Sequence, residues 1–146
     1  MSTICRHLVD RGELSSEDAA FLEAFETATL PDGAFRHRQH LRMAWLYLRL
    51  YGEQAGTARI VQGIKRFAAA KGATMLYHET VTRFWVRLLL HAQSLVPQAG
   101  SFDEVVDAHP GLLDKTLLAR HYRPETLASA RARATWVDPD LAPLPF

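Results

Sequence analysis

Apolar positions along this chain recur at helical spacing, and strand-like alternation is absent. Residues 35–52 form the most regular stretch. Winding them at about 100° per residue gathers Arg38, Arg42 and Arg49 on one side and Met43, Ala44, Tyr47, Leu50 and Tyr51 on the other. His40 falls near the middle of the apolar side, and His37 lies one turn earlier at its border. Gly52 is the expected stop. Residues 75–96 repeat the theme and are stopped by Pro97. Here the apolar stripe is Val81, Trp85, Leu88, Leu89, Ala92 and Val96, the polar stripe is Thr80, Arg83, Arg87, His91 and Ser94, and His78 lies with the apolar residues.

Shorter elements fill the rest. Ile4 to Val9 reads as a short helix ending at Gly12. Ser15, followed by Glu17 and Asp18, caps a clearer one, whose core side is Phe21, Leu22 and Phe25. Glu23 and Glu26 lie opposite as solvated residues, and the turn Leu30-Pro31-Asp32-Gly33 ends the helix. Thr57 to Ala70 is predicted as a helix with Ile60, Val61, Ile64 and Phe67 inward and Lys65 and Arg66 outward. Ser101 and Glu104 make a capping box for a helix to about Ala108. Leu112 to His121 is predicted as a helix, and Pro124 sits where a first helical residue tolerates proline. From Trp136 onward, Pro139, Pro143 and Pro145 exclude helix. Trp136, Leu141, Leu144 and Phe146 make this segment too apolar for a free tail, so it is expected to lie extended across the bundle.

The fold expected is therefore all-α: a single-domain irregular bundle over residues 1–146, with about six or seven helices and an extended Pro-rich C-terminal segment. A length of 146 residues supports a real core, and 48% apolar with 23% charged residues is ordinary globular composition. A net charge of +1 gives no electrostatic case for nucleic acid or an acidic membrane. No apolar run is long enough to span a bilayer, and no secretory leader is seen. The lone Cys5 excludes an intrachain disulfide, and a cytoplasmic location is the expectation. A homodimer through an exposed apolar helix face remains open.

The candidate chemistry lies in the inward histidines. His37 and His40, spaced i, i+3, reach one point on a helix, and His78 can add a third imidazole from another helix. Three imidazoles suit a divalent transition metal (Fe, Zn or Cu), and bundle cores host such sites. His121 is a spare fourth nitrogen. Around this centre, His78, Glu79 and Tyr77 are the candidate catalytic residues, and Arg36, Thr82 and Trp85 the candidate substrate-binding ones. Arginine offers forked hydrogen bonds to a carboxylate or phosphate.

Each residue has a plainer alternative. The histidines can be core residues with both ring nitrogens satisfied by hydrogen bonds. Glu79 and Arg83 can be a surface ion pair. Tyr77 and Trp85 can be core packing, and Arg38 and Arg42 a solvated face.

The pattern His37-x-x-His40-Leu41-Arg42, then Tyr77-His78-Glu79-Thr80-x-Thr82-Arg83-x-Trp85, then His121-Tyr122 and Trp136-Val137-Asp138-Pro139-Asp140-Leu141, resembles a small bacterial family of all-helical proteins with no established activity. The resemblance covers most of the chain from Phe35 onward. It implies a domain boundary and no function.

Three functional expectations follow. The first is a small metal-dependent enzyme acting on a small anionic metabolite, with oxidative chemistry if the metal is Fe or Cu and hydrolytic or lyase chemistry if it is Zn. The second is a non-catalytic helical module that binds a ligand or partner and uses its histidines structurally. The third is metal-free acid–base catalysis by His78 and Glu79.

Overall fold

The computed structural model describes residues 14–31, 33–73, 77–144 and 146. The expected helix at Ile4–Val9, with Cys5 and His7, lies outside these residues, as do Asp32, Met75, Leu76 and Pro145. Among the described residues the chain is all-α, with no strand. None of its helices is long and apolar enough to cross a membrane. The chain divides into two compact units, Met1–Thr74 and Met75–Phe146.

The first unit is built on α1 (Ser16–Glu26) and α2 (His37–Ala70). Ser15 caps α1 by accepting from the Asp18 amide at 3.1 Å, as the sequence implies. Phe21, Leu22 and Phe25 are buried. The long α2 is broken at Gly52, whose φ of 83° is a conformation that disfavours a side chain. Helix resumes at once, so Gly52 stops the first arm as expected, and the second arm starts directly after it rather than at Thr57.

Beyond the break the chain returns along itself. A Cβ on Gly56 would lie 2.8 Å from the Tyr47 carbonyl oxygen and 2.9 Å from the Leu48 Cα. A Cβ on Gly63 would lie 2.7 Å from the Phe25 ring. Small residues thus let the two arms of α2, and α1, approach closely. Phe25, Phe35 and Phe67 fill the space between, with ring centroids 4.7–5.6 Å apart. Arg42 is not simply solvated. It donates to Asp18 through Nε at 3.0 Å and Nη2 at 2.5 Å, and its guanidinium lies over the Phe21 ring. That ties α2 to α1.

The second unit is built on α3 (Glu79–Leu95), α4 (Phe102–Ala108), α5 (Pro124–Ala128) and α6 (Ala130–Ala134), with 3₁₀ turns at Pro110–Leu113 and Lys115–Arg120. The Leu112–His121 stretch is therefore not one α-helix. Asp114 interrupts it by accepting from the Thr116 amide at 3.0 Å, a local bond that competes with helix propagation. Ser129 likewise separates α5 from α6 and caps the latter through the Ala132 amide.

The buried face of α3 also differs from the expected stripe. Thr80 and Phe84 are fully buried beside Leu88, Leu89 and Ala92, whereas Val81 and Trp85 are only half-buried. Among the described residues the segment from Trp136 onward holds no helix, as expected, and a row of polar bonds fastens it. Thr80 Oγ1 donates to the Thr135 carbonyl at 2.8 Å and accepts from the Val137 amide at 3.2 Å. Tyr122 donates to the Val137 carbonyl at 2.6 Å. The Leu141 amide donates to the His121 carbonyl at 3.0 Å. Asp140 accepts from the Arg123 amide at 3.0 Å and from the Thr126 hydroxyl, and these bonds hold its carboxyl below the usual range. Arg87 lies over the Trp136 ring.

Candidate functional site

His37 and His40 belong to the first unit, and Tyr77, His78, Glu79, Thr82 and Trp85 to the second. His78 does not lie on a helical face. It is the N-cap of α3, with extended backbone (φ −139°, ψ 112°), so the helix begins at Glu79 rather than at residue 75. Its Nδ1 accepts from the Val81 amide at 3.2 Å, and its Nε2–H donates to the Leu127 carbonyl at 2.7 Å. Because an amide must donate and a carbonyl must accept, these partners select the neutral Nε2–H tautomer. Both ring nitrogens serve the fold. To bind a metal, this imidazole would have to release one of the two.

Tyr77 donates to Glu79 Oε1 at 2.6 Å, and Arg83 Nε donates to Oε2 at 2.5 Å. Glu79 is therefore held at both oxygens and pairs with Arg83 at i, i+4, though its side chain is largely buried rather than on the surface. Burial, then the hydrogen bond and charge of Glu79, push the Tyr77 hydroxyl far above its ordinary value. It acts as a donor to Glu79 and holds its proton. Thr82 is half-buried, and Trp85 meets Phe84 edge-on with centroids 5.0 Å apart.

Arg36, the N-cap of α2, is exposed. Its amide donates to Gln39 Oε1 at 3.1 Å and its Nε to the Gly33 carbonyl at 2.9 Å, which closes the turn into the helix. His121 is buried, and its Nδ1–H donates to the Ala142 carbonyl at 2.8 Å.

His40 is different. Its ring stacks on Phe35 with centroids 3.8 Å apart. Burial first, and the neighbouring His37 second, lower its pKa to about 4, so the imidazole is neutral at physiological pH. That is the protonation state a metal or a proton acceptor requires. Among the described residues, no three His, Cys, Asp or Glu side chains gather in a group that would hold a metal ion.

The first unit contains a polar pocket that the sequence reading missed. It is an open depression of about 360 Å³ lined by Glu26, Tyr47, Arg59, Gln62 and Arg66. Glu26 is the last residue of α1, Tyr47 lies before the Gly52 break, and the other three follow it. The fold-back at Gly52 and the small contact at Gly56 bring these segments to one place. The Tyr47 hydroxyl donates to Glu26 Oε2 at 2.5 Å. The Arg59 guanidinium carbon lies 4.0 Å from the centre of the Tyr51 ring, a cation–π contact. Among the described residues neither Arg59 nor Arg66 has an ion-pair partner. The formal charges of Glu26, Arg59 and Arg66 leave the pocket cationic.

The signal for this pocket was the spacing Arg59, Gln62, Arg66 at i, i+3, i+7, a polar stripe beside Ile60, Gly63 and Phe67. Alone, such a stripe is indistinguishable from a solvated helix face. Compared with family models, curated proteins and solved structures, the chain has no match.

Proposed function

We propose that this chain is a helical binding protein for a small anionic molecule, held in the first unit by Arg59 and Arg66, and that most of its histidines serve the fold. The observation that carries the reading is the pocket itself: two guanidiniums with no ion-pair partner among the described residues line one concave site with Gln62, Tyr47 and Glu26, and outnumber its one carboxylate. Arginine is the side chain best suited to carboxylate and phosphate, because its forked donors match their paired oxygens. The roles of His78 and His121 as a helix cap and a tail clamp support the structural half of the reading. The lone cysteine is consistent with a reducing, cytoplasmic setting.

The test is calorimetric titration of the full chain with phosphate, succinate and glutarate, beside an Arg59→Ala/Arg66→Ala variant. Saturable binding by the natural chain that is lost in a variant of unchanged melting temperature supports the reading. Absence of anion binding, or equal binding by the variant, overturns it.

A second reading keeps a metal-dependent enzyme, with Fe, Zn or Cu held by His37, His40 and His78. What favours it is the neutral His40 imidazole one helical turn from His37. A bound metal would supply Lewis-acid or redox chemistry to a small anionic metabolite. His78 joins such a set only by giving up Val81 or Leu127. Elemental analysis of untagged protein beside a His40→Ala/His78→Ala variant decides this. One metal per chain, lost in the variant, supports it, and no metal after reconstitution removes it.

A further inference from the structure

We infer that His91 and His109 form a two-imidazole site for a divalent transition metal ion, Cu(II) above all. Both histidines lie in the second unit. The site shares no residue with the anion pocket or with the His37, His40 and His78 set.

The starting observation is a nitrogen without a partner. Nδ1 of His109 is buried and has no hydrogen bond among the described residues. A polar atom taken from water in this way carries a desolvation cost that no hydrogen bond offsets. A metal ion offsets it, because a neutral imidazole offers an in-plane lone pair. Gly111 leaves one side of this ring without a side chain: a Cβ there would lie 3.2 Å from Cε1 and 3.4 Å from Nδ1 of His109.

The second imidazole is close enough to share the ion. The rings of His91 and His109 have centroids 6.0 Å apart and planes at 86°. A nitrogen–metal bond of about 2 Å leaves each ring centre roughly 3 Å from the ion, so two rings on one ion sit about 5–6 Å apart. Phe146 stacks on His91 with centroids 4.5 Å apart and planes at 8°. It covers a face of that ring, whereas coordination uses the edge. The two histidines also stand on fixed backbone. His91 is within α3. His109 ends α4, its amide donating to the Val105 and Val106 carbonyls at 3.0 and 3.1 Å and its carbonyl accepting from the Leu112 amide at 3.1 Å. Ligands held this way lose little freedom on binding, and the ion would join α3 to the end of α4.

The donor set selects the metal. Among the described residues no third His, Cys, Asp or Glu completes a cluster, so the protein offers nitrogen and no carboxylate oxygen. Mg²⁺ and Ca²⁺ need oxygen ligands, whereas imidazole suits the later transition metals, of which Cu(II) binds most tightly. Two protein ligands leave the other positions to water or an added ligand.

The test is calorimetric titration of the untagged full chain with Cu(II), Zn²⁺ and Mg²⁺, beside His91→Gln, His109→Gln and the double variant. One Cu(II) per chain is expected, with Zn²⁺ weaker and Mg²⁺ not bound. Each single variant should lose about tenfold or more in Cu(II) affinity. The double variant should be little worse than either, because the two rings act on one ion. Electron paramagnetic resonance should count two coupled imidazole nitrogens in the natural chain and one in His91→Gln. That count decides the matter even if His109→Gln fails to fold, which thermal melts reveal. His40→Ala/His78→Ala should keep the site. Absence of Cu(II) binding, binding indifferent to either histidine, or binding lost in His40→Ala/His78→Ala overturns the assignment.

Discussion

The Nε2–H of His78 donates to the carbonyl oxygen of Leu127 at 2.7 Å, while the other nitrogen of the same ring caps α3. One imidazole thus joins the start of α3 to the end of α5 and satisfies a backbone group at each. His78→Ala should destabilise the chain by about 1–3 kcal/mol, through the lost cap and the orphaned carbonyl. His78→Asn, with a shorter acceptor that still caps, should recover part of that loss. Urea unfolding measures both, and an alanine variant as stable as the natural chain would remove the structural role assigned to this ring.

His40 gives the fold a pH dependence of known sign. Its pKa is about 4 in the folded chain against 6.5 when unperturbed, so between these values the unfolded chain binds more protons. Stability contributed here is fully present above about pH 6.5 and is lost as pH falls toward 4, below which the contribution is flat. A shift of this size corresponds to about 3 kcal/mol at most, and partial exposure of the ring reduces the expected loss to about 1–2 kcal/mol. Unfolding curves across this window should show the loss in the natural chain and not in His40→Gln. Parallel profiles for the two chains would mean that His40 titrates normally.

What the sequence revealed and what it hid follow from the range of the forces involved. Helix caps are local, so Ser15, Ser101 and the Pro124 start were legible from neighbouring residues alone. The Gly52 break was legible too, because only backbone conformation was at issue. His78 was misplaced because periodicity counts a cap as part of the helix, and its partner Leu127 lies 49 residues away. The burial of Thr80 was hidden for the same reason. Its partners, Thr135 and Val137, are more than 50 residues distant, and without them a threonine reads as polar surface. Glu26 and Arg66 looked solvated because a charged side chain lining a pocket and one facing bulk water leave the same pattern.

The two glycines of the fold-back should differ in their tolerance to a methyl group. At Gly63 the obstacle is the Phe25 ring, which can tilt, so Gly63→Ala is expected to cost about 1–3 kcal/mol. A smaller residue at 25 should relieve part of that, giving a non-additive double variant with Phe25→Leu. At Gly56 the obstacle is the Tyr47 and Leu48 backbone, which has no rotamer to change, so Gly56→Ala should be the more damaging. Thermal unfolding of the three single variants and the double variant checks the order and the coupling. Equal costs at both glycines would show that the arms of α2 separate freely at Gly56.

Thr80 holds the extended segment by its hydroxyl alone, donating to one backbone group and accepting from another while fully buried. Thr80→Val keeps the shape of the side chain but leaves the Thr135 carbonyl and the Val137 amide without this partner, which should cost about 1–3 kcal/mol. Thr80→Ser keeps the hydroxyl and loses only a methyl group, so it should be milder. The consequence is also local. Tyr122 still holds the Val137 carbonyl, and Asp140 still holds Arg123 and Thr126, so the segment should loosen first around Thr135–Val137. Amide hydrogen exchange should therefore quicken at Val137 in Thr80→Val well before it does at Leu141, whose amide is bonded to the His121 carbonyl. Uniform quickening across the whole segment would mean that it detaches as one piece, and that Thr80 is not an independent clamp.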